Sequence, residues 1–253
     1  MTAGLLSRRC LAAPSWVKPG SAAENVVFLA GFPQEVQEVA LCFFETKAAT
    51  PSLIRELGAA ISHLPLRRHV HLPADLPWRD VDEVNRALLG IMDAIAPGGH
   101  ISAVLHPPLE GDISGLLASV SRAWAAGGRF ASDILLENIA GVDLAALLPD
   151  MEEHGFSVCL DVGHALAFRQ EGLLDVPGLM ERVRLLHLHA PGSMPGRPDA
   201  HRPLSELRPR QECVVAKALL RAPQDATLVI EVFDWQGYRE SLPVLARLLS
   251  RAC

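Results

Sequence analysis

The chain has 253 residues, 49% of them hydrophobic and 21% charged, with 19 Gly and 19 Pro spread along its length. That balance excludes a disordered or low-complexity protein and supplies enough apolar material for a real core. A formal charge of −6 gives no global attraction for phosphate backbones, so nucleic acid is disfavoured as a partner. Five cysteines stand far apart without a CxxC pair, a pattern of buried thiols in a reducing compartment and not of a disulfide framework. No run of about 18 apolar residues is present to cross a bilayer, and the first dozen residues lack the apolar stretch of a signal peptide. The expected location is the cytoplasm, with no membrane partner.

Taken in chain order, strands are predicted near 14–17, 38–44, 67–72, 101–106, 134–137, 157–161, 183–187 and 227–232. Segments such as VALCFF, ILLE, VCLD and LVIEVF lack polar alternation, as expected for strands buried on both faces of a parallel sheet. Helices are predicted over 51–61, 80–95, 113–126, 144–154, 176–182, 210–220 and 241–250. Thr50 before Pro51 and Asp80 before its apolar repeat read as N-caps, while Gly98-Gly99, Gly127-Gly128 and Gly155 read as stops. No linker or composition shift divides the chain. Eight strands alternating with helices over 1–253 predict an α/β protein made of a single (β/α)₈ TIM barrel domain. The competing doubly wound sheet lacks a GxGxxG after any strand.

Acids and imidazoles fall at the ends of these strands: His71, His106, Glu137, Asp161, His164, His187, Asp199, His201 and Glu231. Any one of them alone is more often a cap, an ion-pair partner or a solvated side chain. Together, at one rim of a barrel, they would repel unless cations neutralised them. In Asp161-Val-Gly-His164 the glycine is expected to bend the backbone so that both side chains reach one site. In Asp199-Ala-His201 two positions of extended chain project to one side. Five His with Asp and Glu suit zinc, or else manganese or iron, over magnesium or calcium, with two or three ions per chain expected. Adjacent ions of this kind suit phosphodiester hydrolysis, with Glu137 as bridging ligand or local base.

This ordered series resembles the metal ligands of the xylose isomerase-like TIM barrels, specifically their AP endonuclease family 2 branch with three zinc ions. The strings SWVKPG, LCFFET and HVHLPADLPW resemble the cobamide-remodelling phosphodiesterases of that superfamily. The resemblance implies hydrolysis of the phosphodiester in the nucleotide loop of a cobamide, releasing an α-riboside and a cobinamide phosphate. It implies metal ligands at the nine positions above, with Glu137, His187 and Glu231 in catalytic roles. One departure is Leu-His189-Ala-Pro after His187, where the endonucleases usually carry Asn-Asp. The loop after Glu45 also has no wedge, and Tyr238 is the chain's one tyrosine, which counts against a DNA substrate.

Further candidates are substrate contacts: Glu45 at the same rim, His69 two before His71, Trp78 in LPADLPW, His189 two after His187, and Arg202 in an arginine- and proline-rich stretch. Each has a plainer role open to it, as an ion pair with Lys47 for Glu45 or as loop packing for Trp78. The expected substrate is a small molecule, a cobamide or a sugar phosphate. The alternatives carried forward are a sugar or polyol isomerase or epimerase using Glu137, Asp161, His187 and Glu231 around one ion, an AP-endonuclease-like repair enzyme, and a non-catalytic binding protein on the same barrel.

Overall fold

A computed structural model of the protein describes residues 9–96, 100–192 and 200–252. Eight parallel strands close into a barrel in sequence order, β1 to β8, with β8 pairing back onto β1. The strands are β1 Leu11–Pro14, β2 Glu38–Cys42, β3 Arg67–His71, β4 Ala103–Leu105, β5 Ile134–Glu137, β6 Ser157–Asp161, β7 Val183–Leu188 and β8 Thr227–Ile230. One helix follows each: α1 Ala22–Leu29, α2 Pro51–Ile61, α3 Val81–Ile95, α4 Ile113–Ala126, α5 Leu148–His154, α6 Val162–Phe168, α7 Pro209–Arg221 and α8 Trp235–Ala252. The expected (β/α)₈ barrel is therefore present.

Two packing layers hold it. Between strands and helices lies the main core, with Leu29, Ile54, Met92, Trp124 and Phe156 fully buried. Each such large side chain contributes about 1.5–3 kcal/mol by leaving water. Inside the barrel sits a smaller set, Ala12, Ala40, Cys42, Val104, Leu135, Cys159, Leu185 and Val229. These are small or medium residues, as the narrow interior of an eight-stranded barrel requires.

Three local features differ from expectation. The first strand lies at Leu11–Pro14, upstream of 14–17, because Ala12, Ala13 and Pro14 pair with Glu38, Val39 and Ala40 while Trp16 and Val17 already belong to the loop. No helix forms over 176–182. Pro177-Gly178, with Gly178 at φ +84°, interrupts the chain and leaves a 3₁₀ turn at Met180–Arg182, while the crossover helix is α6. Helix α1 had no place in the sequence reading. Its signal is a capping box, in which Ser21 Oγ accepts from the Glu24 amide and the Glu24 carboxylate accepts from the Ser21 amide. Most other boundaries hold closely, including α2, α4 and the αL cap of α5 at Gly155, while α5 starts at Leu148 and not at 144, and α8 starts at Trp235, ahead of 241, with Pro243 in its interior.

Candidate metal centre

The strand ends bring the acids and imidazoles to one place. Glu137 closes β5 and Asp161 closes β6, both with no exposed surface, while His71 closes β3 and His187 lies near the end of β7. Glu231 follows β8, His106 follows β4 and His164 is the third residue of α6. Glu137 Oε2 lies 3.2 Å from His71 Nε2 and 3.0 Å from His106 Nε2. His187 Nδ1 lies 3.0 Å from both Glu137 Oε1 and Glu231 Oε2. His201 Nε2 is 3.3 Å from Glu231 Oε2, and His164 Nδ1 is 3.4 Å from Asp161 Oδ2. Eight of the nine expected ligands thus converge on the C-terminal rim. The ninth, Asp199, lies outside the described residues.

Backbone contacts fix this geometry. Asp161 caps α6 through its Oδ1, which accepts from the His164 amide at 2.6 Å. Asn138 clasps the Asp161 backbone on both sides, its Oδ1 accepting from the amide and its Nδ2 donating to the carbonyl. The sequence reading overlooked Asn138, although it directly follows Glu137 in ILLEN. His164 Nδ1 donates to the Asn138 carbonyl and His71 Nδ1 to the Leu72 carbonyl, both at 3.0 Å. Gly163 does not act as the expected bend. It is an ordinary residue of α6, and its role is steric, since a Cβ there would stand 2.2 Å from the His189 ring.

The electrostatics mark the cluster as incomplete. Burial alone would raise the Glu137 and Glu231 carboxyls, yet His187 with His106 and His187 with His201 hold them well below the usual range. Burial opposes charge on His201, and Glu231 overrides it to bring the imidazole to about 9. His71 and His187 are also raised against their burial by the surrounding carboxylates. Even so, Glu137 Oε2 and Glu231 Oε2 are buried without a hydrogen-bond partner, although ring nitrogens stand about them at contact distance. Buried acceptors rarely stay unpaired. Divalent cations between these atoms would satisfy them, so the residues fit a metal centre.

Among the described residues five overlapping donor groups, each with its atoms mutually within 4.8 Å, could hold ions, and three of them together take in all the acids and imidazoles of the cluster: His71, His106 and Glu137; Glu137, Asp161, His187 and Glu231; and Asp161, His164, His189 and His201. Glu137 belongs to the first two and Asp161 to the last two. His and carboxylate donors in this mixture suit zinc or a similar borderline ion.

The expected substrate contacts are placed unevenly. His189 is fully buried in the cluster, its Nε2 3.2 Å from Asp161 Oδ1. His69 is not brought to the centre. It sits lower in the barrel, its Nδ1 2.6 Å from Glu38 at the N-terminal end of β2. Glu45 is exposed and pairs with Lys47 at 3.0 Å, yet it lines an apolar chamber of about 720 Å³ with Trp16, Phe43, Phe44 and Leu57. Trp78 lines a groove of about 1210 Å³ that His106 also lines, together with Arg79 and Arg122. The Arg202 guanidinium is engaged by Glu206, with contacts of 2.6 and 3.1 Å. Aromatic residues that the sequence reading missed connect the chamber to the cluster, since Phe233 packs edge-on against both Phe44 and His201.

No protein-family profile matches the sequence, and no curated protein matches it. Solved structures do match. The IolI protein with a bound zinc atom superposes with a TM-score of 0.68 at 12% identity, over 96% of this chain and 99% of that one. L-ribulose 3-epimerase gives 0.61 at 15% identity over 96% and 95%, and a xylose isomerase domain protein from Planctomyces limnophilus gives 0.58 at 14% over 96% and 98%. At these identities the likeness is one of architecture: the chain shares the (β/α)₈ barrel fold of these structures.

Proposed function

We propose that the protein is a metal-dependent phosphodiesterase whose ions are held by the acid and imidazole cluster at the C-terminal rim. The observation that carries this reading is the chaining of three donor groups through Glu137 and Asp161, which suits two or three adjacent cations better than one. Bound ions of this class supply Lewis acidity and a nucleophile at neutral pH, and they balance charge on phosphoryl oxygens.

The protein's own residues prepare that chemistry. Glu137, with one oxygen beside His71 and His106 and the other beside His187, would help hold more than one ion if they are bound. Asn138 and the α6 N-terminus hold Asp161 in place. Most of the cluster is sealed from water, and His106 and His201, with side chains 20% and 22% exposed, form its mouth. A substrate enters between them. The groove beside His106 and the chamber beyond Phe233 exceed or reach the upper part of the 300–1,000 Å³ range of small-molecule sites, which favours a ligand larger than a monosaccharide. The resemblance to cobamide-remodelling phosphodiesterases narrows the substrate to the nucleotide-loop phosphodiester of a corrinoid.

Zinc-, manganese- or iron-loaded protein incubated anaerobically with a cobamide should release an α-riboside and a cobinamide phosphate, separable by chromatography. No release with any of the three metals removes the cobamide reading. A second reading, a sugar or polyol epimerase or isomerase, is supported by the epimerase and isomerase-domain structures that share the fold and by the completeness of Glu137, Asp161, His187 and Glu231 as a one-ion set. One ion per chain with turnover of a ketose would establish it in place of the first.

A further inference from the structure

We propose that His189 is itself a metal ligand, sharing with Asp161, His164 and His201 an ion that Asp161 bridges to the Glu137, His187 and Glu231 group. The inference rests on the metal-dependent reading of the cluster but not on the reaction it performs.

The argument is one of geometry. The Ala190 carbonyl lies 3.2 Å from His189 Nδ1, and since a carbonyl oxygen only accepts, Nδ1 donates to it and the ring is held with Nε2 turned toward the cluster. Nε2 faces the two oxygens of Asp161 at 3.2 and 3.3 Å. A backbone carbonyl that engages one ring nitrogen and leaves the other for a metal is the usual way a histidine ligand is oriented. His71 stands in the same relation to Glu137, with Nδ1 on the Leu72 carbonyl and Nε2 3.2 Å from the carboxylate.

The surroundings are shaped for that ring. It lies over Gly163, where any side chain would overlap it, and stacks on His201 with centroids 4.1 Å apart and planes at 26°. Its nitrogen belongs to a four-residue set whose donor atoms all lie within 4.8 Å of one another. A consequence follows for the division of roles. Among the described residues this set would offer a zinc ion four protein donors, whereas His71, His106 and Glu137 would offer three. The three-donor set lies at His106, which lines the wide groove, so that set would leave a position open on the side a ligand can reach.

Crystals of zinc-loaded wild-type protein, measured on both sides of the zinc absorption edge, test the assignment directly. An anomalous peak about 2.1 Å from His189 Nε2, bonded also to Asp161, His164 and His201, is expected. Zinc elsewhere in the cluster with Nε2 beyond about 3 Å of any ion would overturn this inference alone, and a chain that takes up no zinc would remove it together with the metal-dependent reading. In solution, His189→Gln should lose one zinc equivalent per chain by elemental analysis and keep the others, while an unchanged count overturns the proposal. If the variant does not fold, the wild-type crystal decides. Zinc bonded to His189 in a protein that cleaves no phosphodiester would sink the proposed function and leave His189 as a ligand.

Discussion

The two ends of the barrel each bury an acid beside imidazole, and they differ in how the acid is satisfied. At the N-terminal end, Glu38 takes contacts from His69, Arg67, Cys10 and Thr227, so both of its oxygens are met from within the protein. At the C-terminal end three carboxylates among the described residues face six imidazoles, and Glu137 and Glu231 each keep a buried oxygen that makes no hydrogen bond although ring nitrogens stand 3.0 to 3.3 Å from it. In the lower group the carboxylate is met in full, and the atom left without a partner is His69 Nε2. The upper group leaves buried carboxylate oxygens that divalent cations would satisfy. A buried His next to a buried Glu therefore says little about function until the remaining lone pairs have been counted.

The largest test of this contrast is Glu137→Gln. It removes the carboxylate shared by three of the donor groups, and kcat should fall at least about 10³-fold with the circular dichroism spectrum retained. An unaltered rate would take Glu137 out of the chemistry. Removing metal comes next. With ions at about 1,000 times their Kd, binding contributes about 4 kcal/mol, so chelation should lower the melting temperature by about 10 °C. A melting curve indifferent to chelator would mean that the upper cluster is as self-sufficient as the lower one.

Glu38→Gln probes the other end. Burial raises the Glu38 carboxyl, but His69 and Arg67 bring it down to about 2 from an ordinary 4.5. A depressed carboxyl stabilises the fold fully above about pH 4.5 and loses that contribution as pH falls toward 2. The substitution should therefore cost about 3 kcal/mol in urea unfolding at pH 7 and progressively less below pH 4.5, with metal content unchanged. A cost that does not vary with pH would show that the carboxylate charge is not what matters there. The smallest effect should come from Phe44→Ala, on the exposed side of the aromatic chamber, which should raise KM less than about tenfold and leave kcat alone. A drop in kcat instead would place Phe44 at the reacting centre.

Much of this was legible in the residues alone because the relevant signals are local. Continuous apolar runs ending in Glu137, Asp161 and Glu231 announced strands of a parallel barrel with an acidic rim, and Thr50-Pro51 and Asp80 announced two helix starts. Depth along a strand was not legible. His69 and His71 share a face, yet two residues of strand separate them by about 6.6 Å, enough to place one beside Glu38 and the other beside Glu137. The crossover after β6 was also misread, since Pro177 and Gly178 leave only a turn where apolar spacing suggested a helix.

By itself, then, the sequence determined the architecture and the chemical character of the rim, because strand burial and side-chain type are written position by position. Tertiary structure alone decided which of these groups stand together. That the Ala190 carbonyl claims one nitrogen of His189, that Gly163 makes room for its ring, and that Glu137 and Asp161 each stand between two sets of imidazoles are facts of distance between segments far apart in the chain, and no local pattern encodes such distances.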